Sequence, residues 1–408
     1  MITQLWEKKN CRVAFITGVL DLGGSTTFLL NISSGLIKEH LKVKIFSLSN
    51  HNPLASDFQL NAIPVTAEDN KHRIFEDVVK SSLLKLNAFA PSIVVACLAP
   101  SSFEILRYLP ADILKIGVIQ SDDQNVYKMV QLYEKYIDCM VGVSQKIVES
   151  IRNIPAFEGK PVFYIPYGIK IPSISTNLIS LDHSQPLKIL YLGRVCKEQK
   201  RVHLFPKILN DLKNMNLNFI WTIAGDGDEL NYLKKEMISA SPGQLVKFVG
   251  QVPYRNTPDI IKDNDVFLLT SDYEGLPLSL IEAMAYGLVP VVSDLPSGIR
   301  EAVDSNCGIL VDVNNTSGYS KALYYLWKNP AVLRNMSEAS AKKAASSFSV
   351  ELMVSKWIEL FNMKCQKGGS LYWSLPSRVS SPLTCEGRFQ FSKLGKIIRR
   401  IKKYINFY

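Results

Sequence analysis

The chain alternates between short, uninterrupted apolar runs and stretches whose apolar residues recur at helical spacing. Residues 12–19 read as a strand buried on both faces, and Gly23-Gly24 then opens a segment with helical spacing to about Glu39. A second strand is predicted over 42–48 and a helix from about Ile74 to Phe89. Further strand runs fall at 92–98, 115–120, 138–143 and 161–165. Continuous apolar strands spaced by helices signal a parallel sheet covered on both sides. The rhythm stops over 167–186, where Pro, Ser, Asn and Asp accumulate, and a linker is expected there. It then restarts, with strands predicted at 187–192, 218–224, 245–249, 265–269, 289–293 and 308–311. An amphipathic helix with Ser349 as its cap is predicted over 349–363. The expected architecture is α/β: two Rossmann-like, doubly wound halves in series, with ligands outside the carboxyl ends of the strands and both edges facing one cleft.

Charge changes this picture at one end only. The chain of 408 residues carries a net +10, but residues 366–408 hold nine Lys/Arg against the single acid Glu386, so +8 of it sits in the tail. From Leu394 to Tyr408 the apolar residues keep helical spacing and Lys396, Arg399, Arg400, Lys402 and Lys403 fill the rest. Three readings stand: an interfacial helix on an anionic membrane, a helix docked on the body with a solvated basic face, or a nucleic-acid arm. The last has no stacking platform to support it. No apolar run approaches the ~18–20 residues of a membrane span, and the first ten residues lack a signal-peptide core. Seven scattered cysteines without a CxxC, and five unclustered histidines, point away from a disulfide framework or metal site and toward a cytoplasmic protein.

Candidate chemistry is concentrated in two stretches. In Ser271-Asp272-Tyr273-Glu274-Gly275-Leu276-Pro277-Leu278-Ser279-Leu280-Ile281-Glu282, a strand ends in a short loop and a helix starts near Pro277. The orphan N–H groups of that first turn, around Gly275, Leu276, Pro277 and Leu278, suit a diphosphate. Glu274 and Glu282 flank it eight residues apart, a layout that fits sugar, diphosphate and ribose. Two isolated glutamates would be a solvated loop acid and a helix-face charge; the strand–loop–helix context favours a site. The second stretch, Tyr191-Leu192-Gly193-Arg194-Val195-Cys196-Lys197-Glu198-Gln199-Lys200-Arg201, lies at the end of the first strand of the second half. Gly193 permits close backbone approach, and Arg194 with Lys200 supplies permanent positive charge to a leaving diphosphate, although Lys197 and Arg201 compete with Lys200 for the role. Asp122-Asp123 has no third ligand beside it and reads as a turn or cap.

Together these two stretches resemble the family 4 retaining glycosyltransferases (group 1 glycosyl transferases), which have the GT-B fold, over about residues 12–363. Glu274 and Glu282 match the family's Glu-x7-Glu donor signature and Arg194 with Lys200 its diphosphate-binding element, here one residue longer than usual between the two cations. Asp21-Leu22-Gly23-Gly24 is similar to the N-terminal loop beside the donor phosphates and acceptor, and 165–169 to a hinge segment. Residues 223–230 are similar to a Gly-x-Gly turn. Phe248-Val249-Gly250-Gln251-Val252 is similar to a loop near the base. Where many members place a His against the donor sugar, this chain has Gln120, which can hydrogen-bond a hydroxyl but cannot titrate near neutrality.

The resemblance implies three parts: an acceptor-binding domain over 1–170, a nucleotide-sugar-binding domain over 171–348 and a helix over 349–365 packing back on the first domain; the basic tail over 366–408 lies beyond it and follows from charge alone. It implies metal-independent, retaining transfer by front-face attack from a nucleoside-diphosphate sugar, UDP before GDP, with no cofactor beyond that substrate. Glu274 would orient the sugar, Glu282 the ribose, Arg194 and Lys200 the diphosphate, and Gln120 the sugar or acceptor. The expected acceptor is a polysaccharide or lipid-linked glycan at the inner face of a bacterial membrane. The alternatives are a non-catalytic nucleotide-sugar-binding subunit of a glycosylation complex and a GT-B epimerase, which would need paired acid–base side chains.

Overall fold

The computed structural model describes residues 11–69, 71, 73–97, 99–173, 185–240, 245–362 and 376. Within them the chain forms two compact units. The first comprises residues up to 165, apart from 144–146, together with 354–362; the second comprises 144–146 and 166–353. The expected basic helix over 394–408 lies outside the described residues, as do 174–184 of the expected linker.

The first unit is built on seven strands, β1 (Arg12–Thr17), β2 (Lys42–Ser47), β3 (Val65–Ala67), β4 (Ile93–Cys97), β5 (Leu114–Ile119), β6 (Cys139–Gly142) and β7 (Val162–Tyr164). Their order is β3-β2-β1-β4-β5-β6-β7 and every pairing is parallel. The apolar runs follow from this: Val13–Ile16 and all of β4 and β5 are buried, because helices cover both faces. The helix Gly24–Lys38 begins with Gly23 as its cap, and Thr26 and Thr27 N–H donate to the Gly23 carbonyl. β3 does not appear among the expected strands. Three half-buried residues are too few to show a period.

The last helix, Val350–Asn362, starts where expected, with Ser349 Oγ accepting from Leu352 N–H at 3.2 Å. Its Trp357 is 1 % exposed and meets Phe15 and Phe28 at ring distances of 6.2 and 6.3 Å, so the helix closes the aromatic core of the first unit over β1. Edge-on and tilted rings at this spacing are favourable beyond their buried area.

The second unit has six strands, β8 (Leu187–Leu192), β9 (Phe219–Ala224), β10 (Val246–Gly250), β11 (Val266–Leu269), β12 (Val289–Ser293) and β13 (Ile309–Val311), in the parallel order β10-β9-β8-β11-β12-β13. Its core includes a chain of aromatics, Tyr191 to Phe205 at 5.0 Å and Phe205 to Trp221 at 4.9 Å. One expectation needs correction: the linker does not begin at Tyr167. Tyr167 and Ile169 are buried, and Ile169 bonds Phe348 and Val350 through its main chain. Gly168 is seated so closely that a Cβ there would lie 2.8 Å from Met353 Cβ and the Ser349 carbonyl. Polar composition suggested a loose segment, but main-chain pairing with a distant segment is invisible to composition.

In both sheets the strand order reverses beside the first strand, between β1 and β4 and between β8 and β11. Loops leaving adjacent strands in opposite directions open a crevice at the carboxyl ends, the usual ligand position in such sheets. Among the described residues no helix is long and apolar enough to cross a membrane.

Candidate functional site

In the second unit the two motif stretches leave the carboxyl ends of β8 and β11, strands paired through Ile189–Val266 and Leu190–Phe267. The reversal of strand order therefore brings residues 193–200 beside residues 270–278. Three loops are stitched together on one side. Gly193 N–H donates to the Ala224 carbonyl at 3.0 Å, Val195 N–H to Asp226 at 2.8 Å, and Gly225 N–H to Gly250 at 2.7 Å. Gly225 has φ +144, and a Cβ there would fall 1.8 Å from the Gly193 carbonyl, so only glycine permits the approach. Gly250 also has positive φ (+74), faces open space, and is followed by exposed Gln251 and half-buried Val252.

Glu274 is buried, and its Oε1 accepts from Lys200 Nζ at 2.5 Å and from Ser271 Oγ at 2.6 Å. Its Oε2 takes no hydrogen bond from the described residues and is the oxygen left for a ligand. Lys200 was expected on the diphosphate and Glu274 on the sugar; here the two form an ion pair with side chains only 12 and 7 % exposed. Linear spacing cannot show this, since 74 residues separate them.

The candidate cations differ in their surroundings. Lys197 is exposed. Arg201 adopts a left-handed backbone (φ 51), and its guanidinium donates to the Val313 carbonyl at 2.7 Å, away from Glu274. Arg194 is exposed, with one Nη2 bond to Gln199 Oε1 at 2.8 Å, which leaves the other donors of its fork free. Buried Tyr191 fixes the main chain at that point by donating its hydroxyl to the Arg194 carbonyl at 2.5 Å.

The helix Leu278–Ala285 begins one residue later than expected, with Pro277 as its cap and not within its first turn. The N–H groups of Gly275, Leu276, Leu278 and Ser279 find no acceptor among the described residues, and they form a ready anion cradle at the positive end of the helix dipole. The side chains of Leu276 and Leu278 are 3 and 6 % exposed, so these residues can meet a ligand only through the main chain. Glu282 lies on the next turn, half-buried, and loss of hydration pushes its carboxyl up to about 7.

The remaining candidates belong to the first unit. Gln120 follows β5 and is 7 % exposed, and among the described residues neither its Oε1 nor its Nε2 has a partner. Leaving a buried amide unsatisfied costs about 1–3 kcal/mol per group, so this side chain is poised for a polar ligand. Gly23 is extended, and a Cβ on it would meet nothing within 4 Å, so open space surrounds it. Asp122 and Asp123 serve local roles: Asp122 accepts from Tyr127 Oη at 2.6 Å, and Asp123 caps the helix Gln124–Gln131. Among the described residues no group of three or more His, Cys, Asp or Glu is placed to hold a metal ion.

Sequence reasoning missed Tyr191, Gln199 and Ser271. Gln199 and Ser271 stand inside the two motif stretches, and that proximity was the available signal. Their partners, however, are set by the folding of one loop against another.

Comparison with known proteins bears on the fold and on the likeness of the second unit. Residues 179–343 match the family model of the glycosyl transferases group 1. The amylovoran biosynthesis glycosyltransferase AmsD of Erwinia amylovora is 22 % identical over 368 residues, covering 85 % of this chain and 98 % of its own. A Campylobacter jejuni α-1,4-N-acetyl-D-galactosaminyltransferase, named for a diNAcBac-PP-undecaprenol glycan, is 23 % identical over 389 residues, 86 % of this chain and 98 % of its own. Among solved structures, HepE of Anabaena in complex with UDP-glucose superposes with a TM-score of 0.73 at 15 % identity, covering 87 % of this chain and all of that one. The chain thus has two parallel-sheet Rossmann-like units of the GT-B type, and its motif-bearing second unit matches the group 1 glycosyl transferases.

Proposed function

We propose that the chain is a retaining, metal-independent glycosyltransferase that moves a sugar from a UDP-sugar to an acceptor hydroxyl of a polysaccharide or lipid-linked glycan. The observation that carries this reading is the set of groups at the carboxyl ends of β8 and β11. A guanidinium with free donors, an ammonium and four unpartnered N–H groups adjoin a carboxylate with one open oxygen. A diphosphate takes the cations and N–H groups, a sugar hydroxyl takes Glu274 Oε2, and the ribose hydroxyls take Glu282. As the glycosidic bond breaks, charge develops on the departing UDP, and preorganised donors stabilise it more than the bound ground state. Glu274 already spends one oxygen on Lys200 and Ser271, which suits an orienting group and not a nucleophile. Front-face attack by the acceptor hydroxyl, with its proton passing to the leaving diphosphate, then accounts for retention.

The names of AmsD and of the C. jejuni enzyme support a polysaccharide or undecaprenol-linked acceptor, and the UDP-glucose bound to HepE supports a UDP donor. The unpartnered amide of Gln120 is assigned to a hydroxyl of the sugar or acceptor. The same reading places the protein in the cytoplasm, peripheral to the inner face of the membrane, with the basic stretch 394–408 as the part that meets anionic lipid.

Calorimetry with UDP tests the donor assignment. Wild type is expected to bind, and Arg194→Ala to bind about ten-fold more weakly, the loss typical of a charge-assisted contact. Equal affinity in the two proteins would remove Arg194 from the site. Release of UDP from a panel of UDP-sugars, with and without EDTA, tests the rest. The rate is expected to be unchanged by EDTA, because Arg194 and Lys200 do the electrostatic work of an ion. Loss of turnover restored by Mg²⁺ or Mn²⁺ would overturn metal independence.

A further inference from the structure

Gln199 joins the loop after β8 to the loop after β11 beside Arg194. Its Oε1 accepts from Arg194 Nη2 at 2.8 Å, and its Nε2 donates to the Tyr273 carbonyl at 3.3 Å. Its own carbonyl accepts from Asp272 N–H at 2.8 Å. The next residue repeats the link: Thr270 Oγ1 donates to the Lys200 carbonyl at 2.8 Å, and Lys200 Nζ reaches Glu274. The amide serves both side-chain bonds at position 199, its oxygen accepting from Arg194, which can only donate, and its NH2 donating to the Tyr273 carbonyl, which can only accept.

We propose that Gln199 is a positioning residue for nucleotide binding: it holds the Arg194 guanidinium in register with the loop that carries Glu274. The inference rests on the donor-site reading above. An exposed arginine has many rotamers, and fixing one before the ligand arrives removes an ordering cost from binding. Because the same amide grips Tyr273, the residue before Glu274, the phosphate-facing cation and the sugar-facing carboxylate move as one frame. Gln199 itself touches neither phosphate nor sugar; it acts through Arg194.

A double-mutant cycle on UDP affinity tests this, using the full-length wild type, Gln199→Leu, Arg194→Ala and the double variant. Gln199→Leu is expected to weaken UDP binding about five- to ten-fold, in keeping with loss of one hydrogen bond to a charged group at an accessible position. In the Arg194→Ala background the same change is expected to alter affinity less than two-fold, because the group it positions is gone. Unfolding temperature is expected to stay near that of wild type, and Gln199→Ala provides a second truncation should Leu perturb the loop. Wild-type affinity in Gln199→Leu, or an equal loss in both backgrounds, would overturn the positioning role while leaving the donor site intact. Failure of the wild type itself to bind UDP would overturn the donor reading, and this inference with it.

Discussion

Glu274→Gln is expected to lower kcat for UDP release by about 100-fold while leaving UDP affinity the same or slightly tighter. The two effects separate because the carboxylate plays two parts. Its Oε2 is assigned to a sugar hydroxyl, and misplacing a reacting group by about 1 Å can cost 10²-fold in rate. Its Oε1 holds Lys200, and an amide in its place holds an ammonium far less strongly. Lys200 is then free to turn fully toward the diphosphate, which compensates in binding but not in catalysis. Steady-state rates with a UDP-sugar, together with calorimetry on UDP, read both quantities. Lys200→Met combined with Glu274→Gln should fall well short of the summed single effects, since the two side chains act as a pair. A full-rate Glu274→Gln enzyme would show that the carboxylate does not orient the sugar.

Glu282→Gln is expected to stabilise the folded protein above pH 7 while weakening UDP binding there. The direction follows from the raised carboxyl, near 7 in the folded chain against an ordinary 4.5. Between those two values the folded state keeps a proton that the unfolded chain has released. Stability therefore falls as pH rises from about 4.5 to 7, and remains lower above it. An amide has no proton to lose. The advantage of the variant should thus be absent near pH 4.5 and reach its plateau by about pH 8, at roughly 1–3 kcal/mol after discounting for a half-buried site. For the nucleotide the sign reverses. Wild-type affinity for UDP should rise from pH 6 to 8 as the ionised carboxylate becomes the better acceptor for ribose hydroxyls, and the variant should lack that rise. Denaturant titrations and calorimetry at both pH values check the pair. A pH-independent stability difference would mean that Glu282 titrates normally.

A group retained at a cost to stability is what a binding site leaves behind in the folded chain, and two such groups occur here. The half-buried Glu282 carboxyl and the Gln120 amide, unpartnered among the described residues, are both unfavourable in the protein alone, and under the proposed function each gains by meeting a hydroxyl.

Strands such as Leu187–Leu192 and Val289–Ser293 could be read from the chain almost to the residue, because a strand covered on both faces is apolar at nearly every position, the exposed Lys188 being the exception in the first of them. The start of the helix at Gly24 and the cap at Ser349 were legible for a similar reason: main-chain requirements at helix ends select a few residue types. The three-residue β3 was not, and neither was the packed segment at Tyr167–Ile169, since each is held by a partner far away in the chain. At the site, residue types and their order along the chain determined which chemistry was available: two carboxylates, several cations and a helix start. Which cation faces Glu274 was decided only by tertiary structure. A left-handed backbone at Arg201 turns that side chain to Val313, the β8–β11 pairing brings Lys200 within 2.5 Å of Glu274, and Gln199 ties Arg194 to the loop beside it. Composition and spacing report what each residue can do by itself; a hydrogen bond between residues 74 positions apart exists only once two loops have been laid side by side by the sheet beneath them.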